Sequence, residues 1–134
     1  MTPHDLSLIH AAAFTVSRPW TAQEFEALLS NPHTHLITRP NGFAMLQVIA
    51  GEAELLTIAV HPIAQGKGIG QQLMSDWQAV LQATEAFLEV AADNVTARNL
   101  YIRNGFAEVA RRKSYYARKP GVSVDAIVMR TTLT

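Results

Sequence analysis

Val60-His61-Pro62-Ile63-Ala64-Gln65-Gly66-Lys67-Gly68-Ile69-Gly70 is the stretch whose reading decides the fold. Before it lies a dense apolar run, Leu55 to Val60. After it, Ile69 to Leu81 carries apolar residues at helical spacing. Three glycines within five residues remove side chains where strand turns into helix. Backbone N–H groups freed there can converge on an anion, and the positive end of the helix dipole adds to the attraction. Spacing restricts which anion. A Walker loop requires G-x-x-x-x-G-K-[ST], and no glycine here fits it. The dinucleotide fingerprint G-x-G-x-x-G fails from Gly66, where the last position is Gln71, and from Gly68, where it is Leu73. What remains is Gln-x-x-Gly-x-Gly, Gln65 to Gly70, a pattern that an ordinary glycine-rich turn would also show.

Outward from this loop the chain divides into short elements. Thr2 and Pro3 read as the cap and first turn of a helix that carries Leu6, Ile9, Ala13 and Phe14. Thr21-Ala22-Gln23-Glu24 is a capping box, with Trp20 and Phe25 at the staple positions, so a second helix begins there. Strands are expected at His35–Arg39, Phe43–Ile49 and Glu54–Val60, separated by Pro40-Asn41-Gly42 and Gly51. The helix after the glycine loop is expected to bury Ile69, Leu73, Trp77, Val80 and Leu81. Phe87–Val90 reads as another strand, and Asn94 or Thr96 caps a helix running to about Asn104. Phe106–Lys113 and Ala126–Thr132 form a last antiparallel pair around a loop containing Pro120-Gly121. Crossovers through the two later helices imply a mixed sheet with helices on both faces.

Composition bounds the function. The chain has 134 residues, 49% of them hydrophobic and 16% charged, which fits a single globular domain over 1–134. No apolar run approaches the ~18 residues of a membrane span, and the first residues do not read as a signal peptide. Cysteine is absent, which excludes disulfides and a thiol nucleophile and fits a cytoplasmic location. Zero net charge argues against broad nucleic-acid binding. Charge is nonetheless uneven: residues 98–134 hold eight bases against Glu108 and Asp125. These are either solvated surface or an attraction for a polyphosphate ligand. The five histidines show no metal-ligand spacing such as H-E-x-x-H, so no metal is expected.

Leu88-Glu89-Val90 places a carboxylate in an apolar strand. A carboxylate buried there must find a partner or hold protons more tightly, which would poise it as a base. Alternatively it sits at a wet strand end or pairs with an arginine. In the following segment Asn94 is most simply a helix cap, and Tyr101, on one helix face with Ala97 and Leu100, a half-buried packing residue.

Taken together, Gln65–Gly70 and Leu-Glu-Val-x-x-x-Asn-x-x-Ala-x-x-Leu-Tyr-x-x-x-Gly-Phe, residues 88–106, resemble the GNAT acyl-CoA N-acyltransferases. Arg18-Pro19-Trp20, the run Glu52–Val60, Arg111-Arg112-x-x-Tyr115-Tyr116 and Asp125-Ala126 narrow the likeness to the RimI group, which acetylates the N-terminal alanine of a ribosomal protein. The resemblance implies an α/β (α+β) fold with a mostly antiparallel central sheet, helices on both faces, and a first strand that is short or missing here. It implies acetyl-CoA as the acetyl donor and a protein N-terminus as the acceptor. Main-chain groups of Gln65, Gly66, Lys67, Gly68, Ile69 and Gly70 would hold the pyrophosphate, and those of Ile58, Ala59 and Val60 the pantetheine arm. Asn94 would orient the cofactor, Glu89 would be the general base and Tyr101 the general acid, also in contact with the cofactor. Trp20, Glu54, Tyr115 and Tyr116 would border the acceptor.

Two departures bear on acceptor choice. Ala91 stands where the group often has arginine after Leu-Glu-Val, and His61 where it often has an acid. A small-molecule amine or a lysine therefore stays open as acceptor, as does a non-catalytic acyl-CoA-binding domain. An α-amine of pKa near ~8 needs less help from a base than a lysine near ~10.4, which favours the N-terminal acceptor. Without cysteine, direct transfer is expected rather than a covalent acyl-enzyme.

Overall fold

The computed structural model describes residues 1–16 and 18–133. Both capping boxes form as the sequence dictates. Thr2 Oγ1 accepts from Asp5 N while Asp5 returns a bond to Thr2 N, opening α1 (Pro3–Ala13). Thr21 and Glu24 do the same for α2 (Ala22–Leu29). Each box satisfies helix-end donors that would otherwise lack partners.

Six strands follow among the described residues: β1 (Thr34–Arg39), β2 (Gly42–Ile49), β3 (Glu52–Val60), β4 (Glu85–Ala91), β5 (Ala107–Lys119) and β6 (Val122–Thr132). Helix α3 (Ile69–Val80) joins β3 to β4, and α4 (Val95–Arg103) joins β4 to β5. The sheet order is β1-β2-β3-β4-β6-β5, with β3 and β4 its parallel pair and every other neighbour antiparallel. Among the described residues no strand precedes α1, and β1 is the sheet edge on that side. No helix there is long and apolar enough to cross a membrane.

Alternation along β2 builds both cores. Phe43 and Met45 pack with Leu6, Ile9, Phe25 and Ala59 beneath α1 and α2. Ala44 and Leu46 face the larger core, where Leu73, Met74 and Trp77 of α3 meet Leu88, Tyr101, Phe106, Ile127 and Met129. Period-two side-chain direction explains why five consecutive residues of this strand are buried.

Three expectations are corrected. Val80 is 63% exposed, whereas Met74 is fully buried. The buried arc of α3 is centred on Trp77 with Leu73 and Met74, and Val80 falls on its flank, about 60° from Trp77 at ~100° per residue. Tyr115 and Tyr116 lie within a strand and not a loop, because β5 runs on to Lys119 and turns tightly at Pro120-Gly121. Most of β5 is exposed, so no apolar alternation marked it in the sequence. The bounds of β1, β2, β3 and β4 also extend past the expected ones, by up to two residues at an end.

Candidate active site

A cleft of about 780 Å³ opens where β3 and β4 part. Their ladder runs only from Glu52↔Glu85 to Leu55↔Leu88. Beyond it, β4 keeps pairing with β6 through Glu89↔Val128 and Val90↔Ile127, while Leu56–Val60 of β3 has no β4 partner. The edge of β3 facing the cleft therefore offers main-chain donors and acceptors outside any ladder. A bulge sits at the same point. Met45 pairs with Thr57 and Leu46 with Leu55, so Leu56 is the inserted residue. Bulges bend a strand and turn its groups away from the regular direction, which accounts for the parting.

At one end of the cleft lies the glycine loop. Gly66 and Gly68 take φ of +78° and +80°, a region that costs an L-residue about 1–2 kcal/mol. An added Cβ would meet nothing within 4 Å at either, so conformation and not space demands glycine there. Gly68 caps α3 without any side-chain acceptor, which leaves first-turn N–H groups of that helix directed outward. Gln65 is committed elsewhere: its N–H donates to Pro62 O at 3.3 Å and its Nε2 to Val60 O at 2.9 Å. Gln65 thus lines the cleft while closing the loop, and the free main-chain donors begin at Gly66.

Glu89 lines the cleft from β4 with its side chain 27% exposed. Tyr116 donates its hydroxyl hydrogen to Glu89 Oε1 at 3.2 Å, and Arg112 Nη2 stands 3.6 Å from Oε2. Of the two settings left open for this carboxylate, the paired one is found: its partners come from β5. Burial and the Glu89 charge push the Tyr116 hydroxyl up to about 12. Glu54 lies on β3 opposite Phe87 and lies outside the cleft lining. Burial, and secondarily the charge of Glu89, raises its pKa above the carboxylate norm.

Across the cleft, Tyr101 of α4 is 7% exposed, and burial alone drives its hydroxyl far above the usual phenol range. It holds its proton throughout the neutral range. Asn94 caps α4 by accepting from Ala97 N at 3.3 Å and also lines the cleft. Trp20 reaches the cleft from the start of α2. Tyr115 does not: it is 53% exposed and lies edge-on to Tyr116, under the Arg112 guanidinium. Arg118 of β5 reaches the cleft and clamps Asp93 through two bonds of 2.7 and 2.8 Å, so β5 is tied to the β4–α4 turn.

Residues 31–108 match the family described as acetyltransferase (GNAT) domain. The chain belongs to the GNAT acetyltransferases. These enzymes take their acetyl group from acetyl-CoA. This acetyltransferase is 33% identical over 132 residues to the N-alpha-acetyltransferase RimI of Mycobacterium tuberculosis, covering 91% of the chain and 81% of that relative. It is 34% identical over 118 residues to the [ribosomal protein bS18]-alanine N-acetyltransferase of Escherichia coli, covering 83% and 79%. The crystal structure of the Escherichia coli ribosomal-protein-S18-alanine N-acetyltransferase superimposes with a TM-score of 0.82 at 29% identity, over 97% of this chain and 86% of that one.

Of the residues singled out in the sequence, the acetyltransferase gathers Trp20, Ile58, Ala59, Val60, Gln65, Gly66, Gly68, Ile69, Gly70, Glu89, Asn94, Tyr101 and Tyr116 around one cleft. Lys67, Glu54 and Tyr115 fall outside its lining. Sequence reasoning missed the Leu56 bulge, the Arg118–Asp93 clamp and Arg112 as a partner of Glu89. Arg112 and Arg118 carried a signal in the basic bias of the C-terminal part; the bulge carried none.

Proposed function

We propose that this acetyltransferase transfers the acetyl group of acetyl-CoA directly to the N-terminal α-amine of a protein, the N-terminal alanine of a ribosomal protein being the acceptor class. The observation that carries the reading is the parting of β3 from β4 at the Leu56 bulge, with the glycine loop at one end and Glu89 on the facing strand. The names of its relatives at 33% and 34% identity point the same way.

The cleft fits acetyl-CoA on structural grounds. Positive-φ glycines and uncapped first-turn amides of α3 suit a pyrophosphate, and the unpaired edge of β3 suits a chain of amides. The donor supplies a thioester whose departing thiolate resembles a thiol of pKa around 8.5. In this reading Gly66 to Gln71 hold the diphosphate and Ile58 to Val60 the pantetheine amides. A main-chain N–H at the bulge polarises the thioester carbonyl. Glu89 receives, through water, the proton that the amine nitrogen loses as its bond to the carbonyl carbon forms. Tyr101 donates a hydrogen bond to the thiolate as the C–S bond breaks. Its raised proton affinity makes it a stabilising donor first and a proton source second.

An α-amine near ~8 needs less help from a base than a lysine near ~10.4. Glu89, held by Tyr116 and Arg112, is the carboxylate that supplies it in this reading. The test is transfer to an Ala-starting peptide with an internal lysine, set against the same peptide with a blocked N-terminus. Acetylation confined to the free α-amine is expected. Modification of lysine alone would refute the reading, and no transfer with intact acetyl-CoA binding would favour an acyl-CoA-binding module.

A further inference from the structure

His10 is a buried titratable group for which the transfer chemistry has no use. It sits in the last turn of α1, only 4% exposed. Its ring stacks on Phe14 at 4.3 Å and on Trp20 at 5.0 Å, with Phe25 edge-on at 5.6 Å. Nδ1 accepts the main-chain N–H of Trp20 at 3.1 Å. That N–H precedes the Thr21 cap and has no helical partner, so the imidazole is what satisfies it. A phenyl ring would fill the same stack but leave the half-buried donor unpaired, which costs more than losing the bond alone. Accepting this bond fixes the neutral tautomer with its proton on Nε2. The charges facing the ring are Glu24 and Arg18, which neutralise each other through bonds of 2.7 and 3.0 Å. Burial in this aromatic setting favours the neutral form.

We propose that His10 is a positioning residue for the acceptor: its unprotonated Nδ1 fixes the main chain at Trp20 and, through it, the indole that walls the peptide's path. The inference rests on the reading of Trp20 as part of the acceptor wall. His10, Phe14 and Trp20 all line the cleft, whereas the glycine loop that would hold acetyl-CoA is built by other elements. His10 therefore acts on one substrate and spares the other.

The experiment compares His10→Phe, His10→Asn and Trp20→Ala by separate KM values for an Ala-starting peptide and for acetyl-CoA. His10→Phe keeps the stack and removes the acceptor; His10→Asn restores an acceptor near the Nδ1 position. The peptide KM is expected to rise about tenfold in His10→Phe, with acetyl-CoA KM within twofold, and to fall back toward the parent value in His10→Asn. Equal shifts in both KM values, or an unchanged peptide KM in His10→Phe beside a raised one in Trp20→Ala, would overturn the inference. An unchanged peptide KM in Trp20→Ala would sink the wall reading itself. Nitrogen-15 spectra of the unsubstituted protein give an answer independent of any variant: His10 must show Nδ1 as its unprotonated nitrogen, and a proton on Nδ1 would overturn the proposal.

Discussion

The Tyr116 hydroxyl donates to Glu89 Oε1 at 3.2 Å, so β5 meets the cleft through a carboxylate on β4. Arg112 approaches the other oxygen of the same group at 3.6 Å. A carboxylate held in this way is ordered in the free protein.

Replacing Glu89 by Gln keeps the size and the Tyr116 contact but removes the proton acceptor. General-base loss typically costs 10²–10⁴ in rate, and a drop in kcat of about 10²–10³ is expected here. Calorimetry should find acetyl-CoA affinity within about twofold, since the proposed role of Glu89 is toward the acceptor amine and the diphosphate site is built by the glycine loop. Tyr116→Phe should cost less, about threefold to tenfold, as one hydrogen bond of about 1 kcal/mol is lost.

Tyr101→Phe removes a hydroxyl that burial keeps protonated. Turnover with the Ala-starting peptide should fall about 100-fold, the lower end of the range for a lost transition-state donor, with little loss of acetyl-CoA affinity. Unchanged turnover would remove Tyr101 from the chemistry.

Gly68 and Gly121 share positive φ, +80° and +75°, but only Gly68 belongs to the cleft. Alanine at either position carries about 1–2 kcal/mol of backbone strain. In Gly68→Ala the loop opens to relieve it, and acetyl-CoA binding should weaken about tenfold in calorimetry. Gly121→Ala, at the β5–β6 turn, should leave that affinity unchanged.

Stability should fall on mild acidification because of His10. Burial lowers its pKa in the folded protein to about 4, against about 6.5 unfolded. Between those values the unfolded chain binds the proton and the folded one does not, so stability rises with pH. The contribution is fully present above about pH 6.5 and is lost as pH falls toward about 4, with a limit of roughly 3 kcal/mol. Denaturant titrations of the parent and His10→Phe at pH 7 and pH 4.5 should differ in this dependence, the variant losing less on acidification.

What the sequence discloses and conceals follows from the range of the forces involved. Capping at Thr2, Thr21 and Asn94 is set within three residues, and all three caps form where the residue types place them. The glycine loop is equally local. The Leu56 bulge depends on how Met45 and Leu46 register against a neighbouring strand, and the run Leu55–Val60 is uniformly apolar apart from Thr57. Nothing within that run marks an insertion. The apolar neighbours of Glu89 on β4 leave open whether it is dry or paired, because its partners Arg112 and Tyr116 arrive from β5, 27 residues away in the case of Tyr116. His10 shows the same limit: an acceptor for a main-chain donor 10 residues on is invisible until α1 and α2 pack together.

Amide resonances followed during titration with acetyl-CoA test the central claim most directly. Saturable one-site binding is predicted, with the large shifts confined to Gly66–Gln71, Leu56–Val60 and the Glu89–Ala91 segment of β4. Absence of binding at near-millimolar coenzyme in folded protein, or shifts centred on a different face of the sheet, would contradict the account.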